Sequence, residues 1–305
     1  MQSLYWNFIL NDVWKEKLIR LFQRIAETGA CILVFVPEIE DITSWVNRLI
    51  VMRNGRIEGA FYANEIKPLI IEQLLGINRM EMGSIKSQGN LVDQSFLHIK
   101  ALQIGERVYP EIRAFRGEMI RFVRENGHID KSIINLLRGL YSYVGQLYID
   151  SVEASIRNMR DALKLGIVYL TTYGENDILW DNLTIRDNLA ISNPVTFSRC
   201  GILRDRMITF AYREYFENSS IPFAATHYSP SILSPRQRLE LSLILLKSRK
   251  PRIVLLDDSY TNCDTEMRLL IDSFVRDMLN NRCLVICSEM PKNSSSIFSI
   301  RDIII

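Results

Sequence analysis

Residues 233–258 of the chain read LSPRQRLELSLILLKSRKPRIVLLDD and carry the strongest indication of the architecture. Its leucines recur every three or four residues, which predicts an amphipathic helix that ends before Pro251. The apolar run 253–256 that follows is short, as is typical of a strand buried on both faces of a parallel sheet. Asp257 and Asp258 come directly after this run, so the stretch predicts a helix, a buried strand and two carboxylates at the carboxyl end of the strand.

The position of these two carboxylates suggests a functional site. Open parallel sheets bind their ligands outside the carboxyl ends of their strands. In nucleotide hydrolases, one acid at such a place helps to hold Mg²⁺ and a second orients the attacking water. Taken alone, Asp257 and Asp258 are more simply interpreted as two exposed acids after a core strand, so other segments must support the site.

Alternating elements are predicted along the rest of the chain. A helix is predicted over 12–26, a strand over 31–36, and a hairpin with a type I′ turn at Asn54-Gly55. Another helix is expected over 63–76, followed by a linker over 77–95. After the linker, short buried strands alternate with helices, which predicts an open, largely parallel sheet covered by helices.

Composition and charge exclude several classes of protein. Hydrophobic residues make up 48% of the chain and charged residues 24%, a balance typical of a globular protein. The net charge of +2 predicts no nucleic-acid groove, and the longest apolar runs fall far short of the roughly 20 residues that span a bilayer. The five cysteines and three histidines lack the spacing of metal ligands, so we expect no structural metal and a reducing cytoplasm.

Taken together, residues 233–258 resemble the signature helix and Walker B strand of ATP-binding-cassette (ABC) ATPases. The family that matches best is that of the tandem-cassette ATPase subunits of sugar importers, of the ribose and galactose type, in which two cassettes share one chain. Further segments resemble the same family in the same order: NRLIVMRNGRIEG (47–59), RGE (116–118), GIVYL (166–170), LTIRDNLAI (183–191) and LVICSEMP (284–291).

This resemblance implies a fold and a domain organisation. The fold class is α/β, a P-loop ABC-ATPase cassette with a largely parallel sheet, an antiparallel hairpin and a helical subdomain at about 185–250. Residues 1–76 are expected to be the C-terminal part of a first cassette, and 77–95 a linker. Residues 96–305 are expected to form a second cassette without its closing hairpin.

The resemblance also implies roles for individual residues. Asp257 would hold Mg²⁺ if nucleotide binds, and Asp258 stands at the position of the catalytic acid, which is glutamate in the family. Ser288 stands at the switch position, where other cassettes have histidine, and Asp264 at the aspartate of the D-loop. Ser234 belongs to the signature that contacts the nucleotide of an opposite cassette.

The phosphate-binding loop departs from the family pattern. A P-loop needs glycines to curl its backbone N–H groups around phosphate, and a lysine to neutralise it. In the gap-free register only Gly127 of three glycines is present, Asp130 falls at the lysine position, and Lys131 falls at the Mg²⁺-binding hydroxyl. An anion in place of that lysine changes the energy at the phosphate by several kcal/mol, at about 4 Å and an effective dielectric of about 20. A one-residue slip, which would make Lys131 and Ser132 the lysine and the hydroxyl, is the alternative.

The signature also departs from the family pattern, and again through the loss of groups that bind phosphate. Its two glycines are replaced by Pro235, which has no N–H to donate, and by Arg236. A simpler interpretation is that Ser234 and Pro235 start a helix as N-cap and first helical residue. The helix behind the phosphate loop is expected to keep its core face, formed by Ile133, Leu136, Leu137 and Leu140.

From these residues we expect a degenerate ATP-binding subunit of a sugar importer, with weak or no hydrolysis. ATP and Mg²⁺ are the implied cofactors, and permease subunits or an intact cassette protein are the implied partners. A homodimer could also pair the loop of one copy with the signature of another. We expect no nucleic acid and no membrane insertion, and a place in the cytoplasm at the inner face of the cell membrane. The alternatives are a non-catalytic regulatory or scaffold protein, a working ATPase on the slipped loop, and a gene remnant.

Overall fold

The computed structural model of the chain describes residues 4–5, 12–35, 45–53, 55–67, 70–71, 74, 95–172, 178–200, 202–261, 263–290 and 297–305. These residues fall into two compact units, one within 1–83 and 261–268, the other within 84–260 and 269–305. The assignment of these units to two cassettes, with limits at 76 and 96, stays a prediction.

A helix and a hairpin dominate the first unit. Helix α1 spans Asp12–Glu27 and confirms the predicted helix. Strands β1 (Leu4–Tyr5) and β2 (Val34–Phe35) form a short parallel pair. The strand predicted over 31–36 is therefore shorter than expected, because pairing extends over two residues, and residue 36 lies outside the described part.

The predicted hairpin is confirmed. Strand β3 (Arg48–Arg53) pairs antiparallel with β4 (Arg56–Tyr62). Gly55 has a φ of +75°, in the left-handed region that glycine adopts without strain, whereas Asn54 lies outside the described residues. A 3₁₀ turn covers Ala63–Glu65, and residues 70, 71 and 74 are helical, so the helix predicted over 63–76 is observed in part. Six positions of that helix (68, 69, 72, 73, 75 and 76) and nearly all of the linker lie outside the described residues.

The second unit contains strands and helices, with four strands before its first helix. Its strands are β5 (Leu97–Ile104), β6 (Arg107–Val108), β7 (Ile112–Ala114), β8 (Met119–Val123), β9 (Val144–Ile149), β10 (Val152–Ala154), β11 (Ile167–Leu170), β12 (Ser198–Arg199), β13 (Ile202–Leu203), β14 (Ile253–Leu256), β15 (Leu284–Cys287) and β16 (Ile300–Ile304). Its helices are α2 (Ser132–Leu137), α3 (Met159–Lys164), α4 (Ile185–Ser192), α5 (Pro194–Phe197), α6 (Asp205–Phe216), α7 (Pro235–Ser248) and α8 (Thr265–Asn280), the last of which begins in the first unit.

The central sheet is parallel throughout. Its strand order is β11–β14–β15–β8–β16. Every residue of β14 and β15 is buried, because strands of a parallel sheet are covered on both faces. The carboxyl ends of these strands therefore meet at one edge of the sheet, where the residues assigned to nucleotide chemistry follow.

The second unit also contains an antiparallel sheet of order β10–β9–β5–β6, in which β7 also pairs with β5. This sheet shares one hydrophobic core with the parallel sheet and α2. Leu97, Leu147, Ile134 and Leu255 are among the buried residues of this core. The helices α4, α6 and α7 enclose a second core, which contains Leu189, Tyr212 and Leu245.

Helix α2 is shorter than its apolar pattern predicts. Ile133, Leu136 and Leu137 are buried as expected, but Leu140 is 53% exposed, so its assignment to the core face is wrong. The helix ends at Leu137 because Gly139, with a φ of +79°, turns the chain before another helical turn can form. No helix in the described part of the chain is long and apolar enough to span a bilayer.

Candidate functional site

Four segments converge at the carboxyl edge of the parallel sheet. They are the loop 124–131 after β8, Thr171-Thr172 after β11, Asp257-Asp258 after β14, and Ser288 after β15. The sheet thus brings together most of the residues that the sequence assigned to nucleotide chemistry. We call this set the edge site.

The loop after β8 closes on itself as a tight turn. Its backbone hydrogen bonds run from Arg124 N–H to His128 O (2.8 Å), from Gly127 N–H to Arg124 O (2.8 Å) and from Asp130 N–H to Phe122 O (2.9 Å), and the Asn126 Oδ1 atom accepts from His128 N–H (3.1 Å). Gly127 has a φ of +82°, which suits the turn. These N–H groups are therefore engaged within the loop or with β8.

Asp130 is fully buried and accepts three hydrogen bonds. Its carboxylate receives the Ser132 N–H at 2.8 Å, the Arg124 Nε at 2.8 Å and the Arg107 Nη1 at 2.5 Å. Burial acts to raise the pKa of Asp130, but the hydrogen bonds from Ser132 and then from Arg124 outweigh it, so the pKa lies below its usual value. Asp130 is thus held as an anion behind the loop.

Lys131 connects the loop with both acids of β14. Its Nζ lies 2.6 Å from Asp258 Oδ2 and 2.9 Å from Asp257 Oδ1. The Oδ1 atom of Asp257 that Lys131 contacts is buried. Burial acts to lower the pKa of Lys131, but Asp258 and Asp257 outweigh it and raise the pKa.

The backbone of Asp258 is held in an uncommon conformation. Its φ is +49°, in the left-handed region that aspartate adopts more readily than most residues. The Asp258 N–H donates to the buried Ser288 hydroxyl at 3.0 Å, and the Thr172 hydroxyl donates to Asp258 O at 3.0 Å. Ser288 and Thr172 therefore position the acid, and the catalytic role assigned to Ser288 stays a prediction.

Three residues around the edge site were missed by sequence reasoning. Arg107 pairs with Asp130 from β6. The Tyr169 hydroxyl donates to Asp257 Oδ2 at 3.4 Å, and the Arg138 guanidinium lies 3.5 Å from the centre of the Tyr169 ring. No local pattern marks these residues, because their contacts join segments distant in sequence.

The signature residues lie at the start of α7, in the helical part of the second unit. Ser234 is the N-cap: its Oγ accepts the Gln237 N–H at 3.3 Å, and Gln237 Oε1 accepts the Ser234 N–H at 3.1 Å. Pro235 is the first helical residue, and Arg236 is exposed. The interpretation of Ser234 and Pro235 as a helix start is confirmed.

Ser234→Ala is expected to lower the free energy of unfolding by about 1 kcal/mol, because it removes this cap. Chemical denaturation of the full chain measures the loss. Ser231→Ala, in the 3₁₀ turn just before α7, serves as the matched control and should have a smaller effect. Equal losses for the two variants would contradict the capping role.

Asp264 belongs to the first unit and caps α8. Its Oδ1 accepts the Met267 N–H at 2.8 Å, and its carbonyl accepts the Arg268 N–H at 3.0 Å. This is a structural role, and the D-loop role stays a prediction.

No family model matches the chain, but several curated proteins are similar to it in sequence. The chain is 22% identical to the ribose import ATP-binding protein RbsA of Pseudomonas putida over 292 residues, which cover 91% of the chain and 55% of that protein. It is 25% identical to ribose import ATP-binding protein RbsA 1 of Burkholderia cenocepacia over 287 residues, 91% of the chain and 54% of that protein. The chain thus spans about half the length of the curated relatives it matches.

The fold agrees with these matches. The structure of the ADP conformation of MJ1267, an ATP-binding cassette of an ABC transporter, superposes with a TM-score of 0.52 and 14% identity, over 68% of this chain and 87% of that one. This likeness shows the fold alone. The chain therefore has the fold of an ATP-binding cassette and is similar in sequence to ATP-binding proteins of ribose import.

Proposed function

We propose that this chain is a cassette subunit of a sugar import system that hydrolyses ATP weakly or not at all. One observation carries the proposal: the ammonium of Lys131 lies between Asp257 and Asp258, the two acids that would serve Mg²⁺ and the attacking water. The names of the relatives support the sugar import system.

The loop does not fit a nucleotide phosphate. Phosphate is bound in a P-loop by free backbone N–H groups and a lysine. Here the N–H groups of Arg124, Gly127, His128 and Asp130 are taken by partners within β8 and the loop itself. A buried carboxylate, that of Asp130, adds negative charge behind the loop, and it already accepts the Ser132 N–H.

The acid pair does not fit a magnesium ion either. Mg²⁺ needs carboxylate oxygens that are free to coordinate it. Lys131 already neutralises both acids, and a cation beside them is consistent with the gap-free register, which gives Lys131 the position of the Mg²⁺-binding hydroxyl. We therefore favour the gap-free register and derive no hydrolytic step for this chain.

The signature supports the same conclusion. In the family, its glycines bring backbone N–H groups to the γ-phosphate held by the opposite cassette. Pro235 has no N–H, and Ser234 and Gln237 use their groups to cap α7. A homodimer of this chain would therefore pair two sites that both depart from the catalytic pattern. We infer that permease subunits or an intact cassette protein are its partners.

Phosphate release and thermal unfolding of the purified chain, each with and without Mg-ATP, test the proposal. We expect no phosphate above background and no change in Tm. A ligand present at 100 times its Kd would stabilise the chain by about 2.7 kcal/mol, so binding would be visible. A cassette with an intact phosphate loop, measured alongside, shows that both assays report binding and turnover.

Each other outcome has a definite meaning. Turnover that disappears in Asp257→Asn would overturn the proposal and favour the slipped register with a working site. A rise in Tm without phosphate release would show that the chain binds nucleotide but does not hydrolyse it. Association with a protein partner but with no permease would favour the regulatory or scaffold alternative.

A further inference from the structure

We propose that the ammonium of Lys131 is a tethered cation that takes the place of a divalent metal ion between Asp257 and Asp258. The chain then keeps its acid pair assembled without Mg²⁺. This inference rests on the proposed function and deepens it, because it names the group that replaces the metal and predicts how the metal site can be regained.

The geometry of the three groups supports a shared cation position. The Nζ of Lys131 lies 2.9 Å from Asp257 Oδ1 and 2.6 Å from Asp258 Oδ2, so carboxylates of consecutive residues face one positive charge. Magnesium–oxygen distances are about 2.1 Å. A metal ion at the same point would require each carboxylate to move by less than about 1 Å, a shift that side-chain rotation supplies.

The two acids are held by groups other than Lys131. The Asp257 N–H donates to Leu170 O at 3.1 Å, which ties the acid to the end of β11. Ser288 and Thr172 hold the N–H and the carbonyl of Asp258 at 3.0 Å each. These are backbone contacts, so we expect the backbone of the acid pair to keep its arrangement when Lys131 is replaced by a smaller residue.

Charge explains why the wild-type chain excludes a metal ion. An ammonium within hydrogen-bonding distance of both carboxylates cancels much of their attraction for a second cation and repels that cation directly. A hydroxyl in its place would restore the negative charge and add an oxygen ligand of the kind that Mg²⁺ and Mn²⁺ prefer. Lys131→Ser therefore converts the acid pair into a candidate divalent site.

Titration of the full chain with Mn²⁺ in the absence of nucleotide tests this inference. The electron paramagnetic resonance signal of free Mn²⁺ measures how much of the ion is bound. We expect Lys131→Ser to bind one Mn²⁺ with a Kd at least about tenfold lower than that of any wild-type site, since one like charge is removed from a two-carboxylate site. Lys131→Ser combined with Asp257→Asn should lose this binding. Bound Mn²⁺ should also raise the Tm of Lys131→Ser and leave that of the wild type unchanged.

Lys247→Ser is the matched control. Lys247 pairs with one partly exposed acid, Asp277, at 2.6 Å, so its replacement leaves a single carboxylate and should create no Mn²⁺ site. If Lys131→Ser fails to unfold cooperatively, Lys131→Thr takes its place.

Two results would overturn the inference. One is a wild-type chain that binds Mn²⁺ and loses it in Asp257→Asn. The other is folded Lys131→Ser and Lys131→Thr variants that bind no more Mn²⁺ than the wild type. Because nucleotide is absent, either result leaves the proposed lack of ATP hydrolysis to be decided by phosphate release.

Discussion

Lys131→Met is expected to lower the free energy of unfolding by about 2–3 kcal/mol, because one change removes the cation shared by two carboxylates. The Asp257 side chain is 12% exposed, so water cannot fully replace the ammonium, whereas Asp258, at 31%, is partly hydrated. This partial exposure places the expected loss below the roughly 3–5 kcal/mol of a fully buried broken pair. Urea denaturation in the presence of EDTA measures the loss without interference from divalent ions.

Two further variants make this prediction specific. Lys247→Met removes a lysine from a partly exposed pair with a single acid, Asp277, and should lower the free energy of unfolding by less than about 1 kcal/mol. Adding Asp258→Asn to Lys131→Met should recover part of the lost stability, because it removes one of the two like charges that face each other. A loss for Lys131→Met no larger than that for Lys247→Met would show that the bridge contributes little.

Asp130→Asn is expected to lower the free energy of unfolding by about 2 kcal/mol at neutral pH. This is the second of the two large effects expected at the edge site. The amide keeps an oxygen for the Ser132 N–H, but its NH₂ group faces the donors of Arg107 and Arg124. Because both arginines are partly exposed, water can hydrate them, which limits the loss. Urea denaturation of the two proteins at several pH values measures the effect.

The difference in free energy of unfolding between the wild type and Asp130→Asn should depend on pH with a definite sign. The pKa of Asp130 in the folded chain lies below its unfolded value, so the carboxylate contributes stability that is complete above the unfolded pKa of about 3.9. That contribution is lost as the pH falls through the lower, folded pKa. The difference between wild type and Asp130→Asn should therefore be constant near neutral pH and shrink in acid below about pH 4.

Asp150→Asn is the matched control for this experiment. Asp150 also pairs with two arginines, Arg116 at 2.9 Å and Arg252 at 3.0 Å, but its side chain is 52% exposed. Its φ of +57° suits asparagine as well as aspartate, so the backbone is unaffected. We expect the free energy of unfolding to fall by no more than about 1 kcal/mol, because exposed ion pairs contribute little to stability. Equal losses at positions 130 and 150 would contradict the importance of burial.

Local patterns in the sequence determined much of the fold. Helix α1, the hairpin of β3 and β4, the buried strand β14 and the helix start at Ser234 all follow from periodicity, turn residues and capping residues. Each of these signals acts over a few neighbouring residues, so it can be read without knowing the rest of the chain. The carboxyl ends of the parallel strands then predicted where Asp257 and Asp258 would lie.

Only the tertiary structure decided which charges meet. Lys131 contacts acids 126 and 127 residues further along the chain, the difference between positions 257 and 131 and between 258 and 131. Asp130 pairs with Arg107 of another sheet, and Leu140 is exposed because α2 ends early. Adjacent residues, Asp130 and Lys131, thus have opposite surroundings, one a buried anion with two arginines and the other a cation between two acids. Sequence spacing carries no information on such pairs, because Coulomb energy depends on distances and burial that exist only once the sheet has formed.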